Sequence, residues 1–242
     1  MKQLQYQTQD YFADSHAVGL IVLQTDEVME DELRQWLPST TRLYHSRIPN
    51  DEIVNEETLN AMHARLPEVT RLLPKLDYSA LVYGCTSGAT FIGERRVADA
   101  MHTVIPDVPV TTPITAVKAR LRNLGVKKIG LLTPYEPHVS KTIQDHLVSE
   151  GFEIASACAF FENRDKMVCQ ISEASIRDAV MQLAVTNCDA VFGSCTNLRI
   201  AGILDELNKT AGKPVLTSNS ALAWHIDQLV SNHELTIRSK QS

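Results

Sequence analysis

Short apolar runs alternate with stretches in which apolar positions recur every three or four residues, and the alternation continues along nearly the whole chain. VGLIVL is followed by the amphipathic stretch EVMEDELRQWL and then by TRLYHSRI. KIGLLT is followed by PYEPHVSKTIQDHLVSEG and then by FEIASACAFF. Strand, helix, strand in that order predicts parallel strands joined by helical crossovers, an α/β fold. A further helical stretch comes next in each case, ETLNAMHARLPEVTRLL or ISEASIRDAVMQLAVTN. An apolar run ending in a cysteine then closes each unit, YSALVYGCTSG in one and CDAVFGSCTN in the other.

The two units repeat one plan. Gly19 and Cys85 are 66 positions apart, and Gly130 and Cys195 are 65 apart. The repeat predicts two similar lobes with parallel sheets, related by a pseudo-two-fold axis. Residues 1–115 with 218–242 form the first lobe and residues 116–217 the second, with the boundary near Pro113 to Lys118. The closing segment KPVLTSNSALAWHIDQLV reads as a strand and a helix that crosses back onto the first lobe. In open parallel sheets the ligand crevice lies outside the carboxyl ends of the strands. Cys85 and Cys195 fall there, so the active site is expected in the cleft between the lobes.

Composition narrows the class. The chain has 242 residues, 44% of them hydrophobic, and a net charge of −6, with its basic residues scattered singly. A nucleic-acid partner is therefore not expected. The start, MKQLQYQTQDYFADSH, has no apolar leader region, and no apolar run approaches the ~18 residues of a membrane span, so a cytoplasmic protein without a membrane partner is expected. Five cysteines without a CxxC pair predict reduced thiols. No metal is expected either, because no zinc-ligand spacing occurs and the eight histidines include no i, i+4 ligand pair. GxGxxG and GxxxxGK[ST] are both absent.

Each of the two cysteines leaves an apolar strand and opens a polar turn, Cys85-Thr86-Ser87-Gly88 or Cys195-Thr196-Asn197, read as the start of a helix. Backbone N–H groups at a helix start hold an anion, and a carboxylate suits such a site. The same environment predicts lowered thiol pKa values. A single cysteine on a strand is commonly a small buried hydrophobe, which is the reading for Cys158, Cys169 and Cys188. Two at matched positions of a repeat point instead to paired chemistry. Arg95 and Arg96, three turns of helix beyond Cys85, read as a solvated face.

VYGCTSG and FGSCTN, with LLTPY between them and SNSALAW near the end, resemble the aspartate/glutamate racemase superfamily over Val18 to Leu229, closest to its maleate cis-trans isomerase and arylmalonate decarboxylase branch. Within that branch the TDEVME stretch is similar to the ectoine-utilisation proteins related to maleate isomerase. The resemblance implies an isomerase that needs no cofactor and acts on a small carboxylate, with a homo-oligomer as the assembly. It implies Cys85 as nucleophile or first base and Cys195 as the opposing acid, since racemases move a proton between two faces and maleate isomerases add a thiolate to the double bond. Thr25, Thr86, Ser87, Thr196 and Asn197 fall around the substrate, Tyr135 of LLTPY is a hydroxyl donor to it, and Asn163 of FENRD matches a carboxylate-binding asparagine. From the residues alone, Tyr135 could equally pack beside Pro134 and Pro137, and Asn163 could support a turn.

One departure from the pattern bears on the substrate. Where the isomerases have a serine-rich turn ending in Asn, this chain has Leu23-Gln24-Thr25-Asp26-Glu27. Asp26 either faces the cleft, where it repels a second carboxylate and favours an amino-acid or ectoine-derived compound over maleate, or caps the following helix. The competing functions are a decarboxylase of a malonate-type acid using the same anion pocket, and a non-catalytic carboxylate-binding protein. Decarboxylases of this branch keep one cysteine, so two argue for isomerisation or racemisation.

Overall fold

The structure is a computed structural model that describes residues 1–241. The first sheet is built from β1 (His16–Leu23), β2 (Thr41–Ile48), β3 (Tyr78–Gly84) and β4 (Val110–Thr111), with α1 (Met29–Trp36), α2 (Glu56–Ala61), α3 (Leu66–Thr70), α4 (Thr86–Ile92) and α5 (Glu94–His102) between them. Helix α6 (Pro113–Asn123) leads to the second sheet. That sheet contains β5 (Lys128–Thr133), β6 (Glu153–Ala159), β7 (Ala190–Gly193) and β8 (Val215–Thr217), connected through α7 (Pro137–Ser149), α8 (Asp165–Val168), α9 (Glu173–Ala184) and α10 (Leu204–Ala211). Helix α11 (Ser218–Gln241) closes the chain.

The sheets have the same order, β2-β1-β3-β4 and β6-β5-β7-β8, with every pairing parallel. Strands covered on both faces read as continuous apolar runs, and the seven residues of β3 are all buried. The central strands carry the core, with Val18, Leu20, Ile21, Val22, Leu131 and Leu132 fully buried. At Gly19 a Cβ would lie 2.8 Å from both Leu73 Cδ1 and Leu81 Cδ2, so the absence of a side chain lets the sheet and its covering layer close together.

The single helix expected over ETLNAMHARLPEVTRLL is broken into α2, a 3₁₀ turn at Met62–Arg65, and α3. Pro67 supplies the reason, because it has no N–H to continue the ladder and fits only the first turn of a new helix.

Helix α11 returns to the first sheet. It packs on α1, α6, β3 and β4, and its His225 and His233 each place Nδ1 at a threonine or serine of that sheet, Thr111 Oγ1 at 2.8 Å and Ser79 Oγ at 3.1 Å. A second tie crosses α6. The buried Lys118 ammonium reaches Glu94 Oε2 on α5 at 2.6 Å and Glu150 Oε1 beyond α7 at 2.8 Å. Among the described residues no helix is long and apolar enough to cross a membrane.

Candidate active site

Cys85 stands where β3 ends and α4 begins, with an extended backbone (φ −142°, ψ 119°) that makes it the N-cap of the helix. Its Sγ accepts the Gly88 N–H at 3.2 Å and lies 3.7 Å from Ser87 Oγ. Gly88 matters for this contact, because a Cβ there would stand 2.9 Å from the sulfur and 2.5 Å from the Tyr83 hydroxyl.

Cys195 occupies the matching place after β7, with a different backbone. Its φ is 148°, a conformation that disfavours any residue with a Cβ and costs about 1–3 kcal/mol. No helix opens directly after it. A turn at Thr196-Asn197 comes first, then a 3₁₀ turn at Ala201–Ile203, and α10 begins only at Leu204. The helix-start reading therefore holds for Cys85 and is corrected for Cys195. The thiol still has a backbone donor, the Asn197 N–H at 3.3 Å.

Three neighbours hold this turn in its strained shape. The Cys195 N–H donates to Ser218 Oγ at 3.1 Å, and Asn219 Nδ2 donates to the Thr196 carbonyl at 2.8 Å. Glu32, buried on α1, accepts from the Ile200 and Ala201 N–H groups and from Asn219 Nδ2. Ser218 is also bonded to Thr86 Oγ1 at 2.8 Å, so one side chain joins the turns that follow both cysteines.

Cys85 and Cys195 line a single pocket between the two sheets. Leu23, Ile53, Val54, Leu59 and Met62 form its apolar wall, and Ser87, Tyr135, Thr196 and Asp165 supply polar groups. Tyr135 lines the same pocket, its hydroxyl near enough to Cys195 and Ser87 to interact with both. Burial raises its pKa, as do the charges of both cysteines.

Burial also governs the thiols, each only 3% exposed. It pushes Cys85 up to about 12, against the stabilising hydrogen bonds of Gly88 and Ser87. Cys195 is held well above its ordinary value, by burial first and by Asp165 next. The lowered pKa expected from a helix start is thus corrected, because desolvation of the thiolate outweighs two or three donors. Asp26 adds to the upward shift at both sulfurs.

Asp26 caps the start of α1. Its Oδ1 accepts the Val28 and Met29 N–H groups, both at 2.8 Å, while its Oδ2 has no hydrogen-bond partner, although the Thr196 hydroxyl is near enough to favour the charged form. Burial is the larger influence and raises the carboxyl's pKa. Asp26 does not line the pocket, and neither do Thr25, Thr86 and Asn197. Asn197 Nδ2 holds the Asp165 carbonyl at 2.9 Å, and its Oδ1 accepts the Glu27 N–H at 3.0 Å.

Asn163 is placed differently from the expectation. Residues 163–165 pair antiparallel with 52–54: the Asn163 carbonyl accepts the Val54 N–H at 2.8 Å, Ile53 bridges Arg164, and the Asp165 N–H reaches the Glu52 carbonyl at 2.9 Å. Asn163 is outside the pocket lining, and Asp165 faces it instead. Sequence reasoning passed over Asp165, Glu32, Ser218 and Asn219. FENRD and SNSALAW held the signal for three of them, and Glu32 sat unremarked inside an amphipathic helix.

One group could hold a metal ion among the described residues, Glu94, His146 and Glu150. The Lys118 ammonium already stands among these three, within 3.2 Å of His146 Nε2.

The arylmalonate decarboxylase family model matches residues 54–240. A maleate isomerase of Alcaligenes faecalis is 23% identical over 239 residues, covering 93% of each chain. The maleate isomerase Iso of Pseudomonas putida superposes with a TM-score of 0.80 at 19% identity, covering 90% of this chain and 93% of its own. A mutant of the Nocardia farcinica maleate cis-trans isomerase with a covalently bound succinylcysteine intermediate superposes with a TM-score of 0.81 at 21% identity, covering 89% and 93%.

Proposed function

Since the chain belongs to the arylmalonate decarboxylase family, we propose that it is a cofactor-independent isomerase or racemase of a small carboxylate, acting through Cys85 and Cys195. The observation that carries this reading is the pairing of two buried thiols in one pocket that Tyr135 also lines, each with a backbone N–H on its sulfur. One cysteine would suffice to protonate an enolate after decarboxylation. Two allow a proton to leave one face of a carbon and return to the other.

Cys85 is the group that ionises. Its sulfur sits at the N-cap of α4, where it accepts the Gly88 N–H beside Ser87 Oγ, contacts that favour a thiolate. In racemisation the Cys85 thiolate takes the proton α to the carboxylate, and the Cys195 thiol gives its proton to the opposite face, so that thiol and thiolate have exchanged places. In cis-trans isomerisation the Cys85 sulfur adds to one carbon of the double bond while the Cys195 thiol protonates the other. The resulting single bond rotates, and Cys195 takes the proton back as the carbon–sulfur bond breaks. The succinylcysteine of the Nocardia relative supports the second form. In both, Ser87, Tyr135 and Thr196 supply hydroxyl donors to the substrate carboxylate. The substrate is a maleate-type dicarboxylate or an amino-acid or ectoine-derived acid.

The family model's name favours one alternative, decarboxylation of a malonate-type acid. Carbon dioxide release separates the two. Conversion of one isomer into the other without loss of carbon dioxide supports the isomerase, and stoichiometric carbon dioxide from a malonate supports the alternative.

A further inference from the structure

We propose, resting on the reading just given, that Asp165 makes the pocket select substrates that carry a protonated amine beside their carboxylate. The pocket mixes hydroxyls with carboxylates. Ser87, Tyr135 and Thr196 bring hydroxyls, whereas Asp51 and Asp165 bring carboxylates, and among the described residues no Lys, Arg or His lines it.

Donor directions fix Asp165 as an acceptor. Asn50 Oδ1 accepts the Thr25 N–H at 3.2 Å and its Nδ2 reaches the Asp51 carbonyl at 3.0 Å, which settles the orientation of the amide. The same Nδ2 donates to Thr25 Oγ1 at 2.8 Å. Thr25 has one hydroxyl proton, and with its oxygen already accepting from Asn50, that proton goes to Asp165 Oδ2. Burial raises the carboxyl's pKa, while Thr25 and Asn197 favour its ionised form. Asp165 is 3% exposed, so water screens it little. Asp26, 2% exposed and with Oδ2 unpartnered, adds a second negative group within electrostatic reach of both sulfurs.

A dianionic substrate would bring a further negative charge to these carboxylates. An ammonium is attracted there. It also offsets the field that Asp165 and Asp26 exert on the cysteines, and so favours the thiolate that the reaction needs. Substrate recognition and thiol ionisation are then two consequences of the same charge.

The test separates this claim from the isomerase reading by measuring binding where chemistry is removed. Titration calorimetry on Cys85→Ser compares 2-aminobutyrate with butyrate, which lacks only the ammonium, and with succinate, which has a second carboxylate. We expect 2-aminobutyrate to bind at least about tenfold more tightly than either. Adding Asp165→Asn, a nearly isosteric change whose melting curve reports its folding, should bring the ratio close to one. Equal or tighter binding of butyrate or succinate, failure of 2-aminobutyrate to bind, or a ratio unchanged by Asp165→Asn overturns the proposal. The ratio with Asp165 intact decides the matter by itself if the second variant does not fold. Turnover retained in Cys85→Ser would sink the isomerase reading and leave the binding ratio untouched.

Discussion

The Cys195 N–H donates to Ser218 Oγ at 3.1 Å, although Ser218 opens the helix that packs on the opposite sheet. Ser218→Ala would leave a buried N–H without a partner at a residue already in a strained conformation, and would remove the bond to Thr86. We expect a loss of about 1–3 kcal/mol in stability, seen as a fall in Tm of roughly 2–4 °C per kcal/mol. Turnover should fall at least about tenfold, mostly in kcat, because the sulfur is misplaced while the substrate-binding hydroxyls remain. A variant with lowered Tm and normal kcat would reduce Ser218 to a structural role.

Alkylation should be slow at the two pocket cysteines. All three thiols are raised by burial, but Cys85 and Cys195 are buried whereas Cys158 is partly exposed. Iodoacetamide near pH 7 is expected to label Cys158 well before Cys85 or Cys195, since access and thiolate fraction together set the rate. Peptide mass spectrometry over a time course checks it, and rapid labelling of Cys85 would show that the pocket opens readily in solution.

Asp26→Asn should be tolerated. An amide oxygen can still accept the Val28 and Met29 N–H groups, and the substitution removes a buried charge whose pKa burial raises. A carboxyl with a raised folded-state pKa loses stability as pH climbs from its unfolded value through its folded one. At pH 7 the variant's Tm is therefore expected to equal or exceed the wild type's. Asp26→Ala, which loses the cap, should cost about 0.5–2 kcal/mol.

Acid should loosen the Lys118 tie between α5 and the end of α7. Burial opposes ionisation of Glu94, but His146, Lys118 and Thr115 outweigh it and hold the carboxyl at about 2, from 4.5. A depressed pKa contributes stability above the unfolded value that is lost as pH falls through the folded one, here between about 4.5 and 2. The contribution is about 2–4 kcal/mol. Glu94→Gln should lower Tm at pH 7 and converge with the wild type near pH 2. Parallel melting curves across that range would contradict the assignment.

The fold and the paired cysteines were legible in the sequence because parallel strands buried on both faces leave continuous apolar runs, and a repeat places like residues at like spacing. The electrostatics were not legible. Whether Cys85 is ionised depends on burial in a pocket that Met62 and Tyr135, from other parts of the chain, also line. The turn of Cys195 looks like a helix start in sequence, and only its bonds to Ser218, Asn219 and Glu32 explain its positive φ. Asn163 and Asp165 are two residues apart. Pairing with residues 52–54, a contact across more than a hundred positions, decides which of them lines the pocket.

If Cys85 and Cys195 act as a pair, together they move a proton or a sulfur bond across one carbon framework. Proton NMR in deuterium oxide, following single enantiomers of small amino acids and cis-dicarboxylates, tests this pairing most directly. We expect one isomer to convert into the other without carbon dioxide release, with solvent deuterium entering at the α carbon if the reaction is racemisation. Either Cys85→Ser or Cys195→Ser should abolish the conversion. Isomer formation that persists in either variant, or carbon dioxide release in place of isomer formation, would contradict the account.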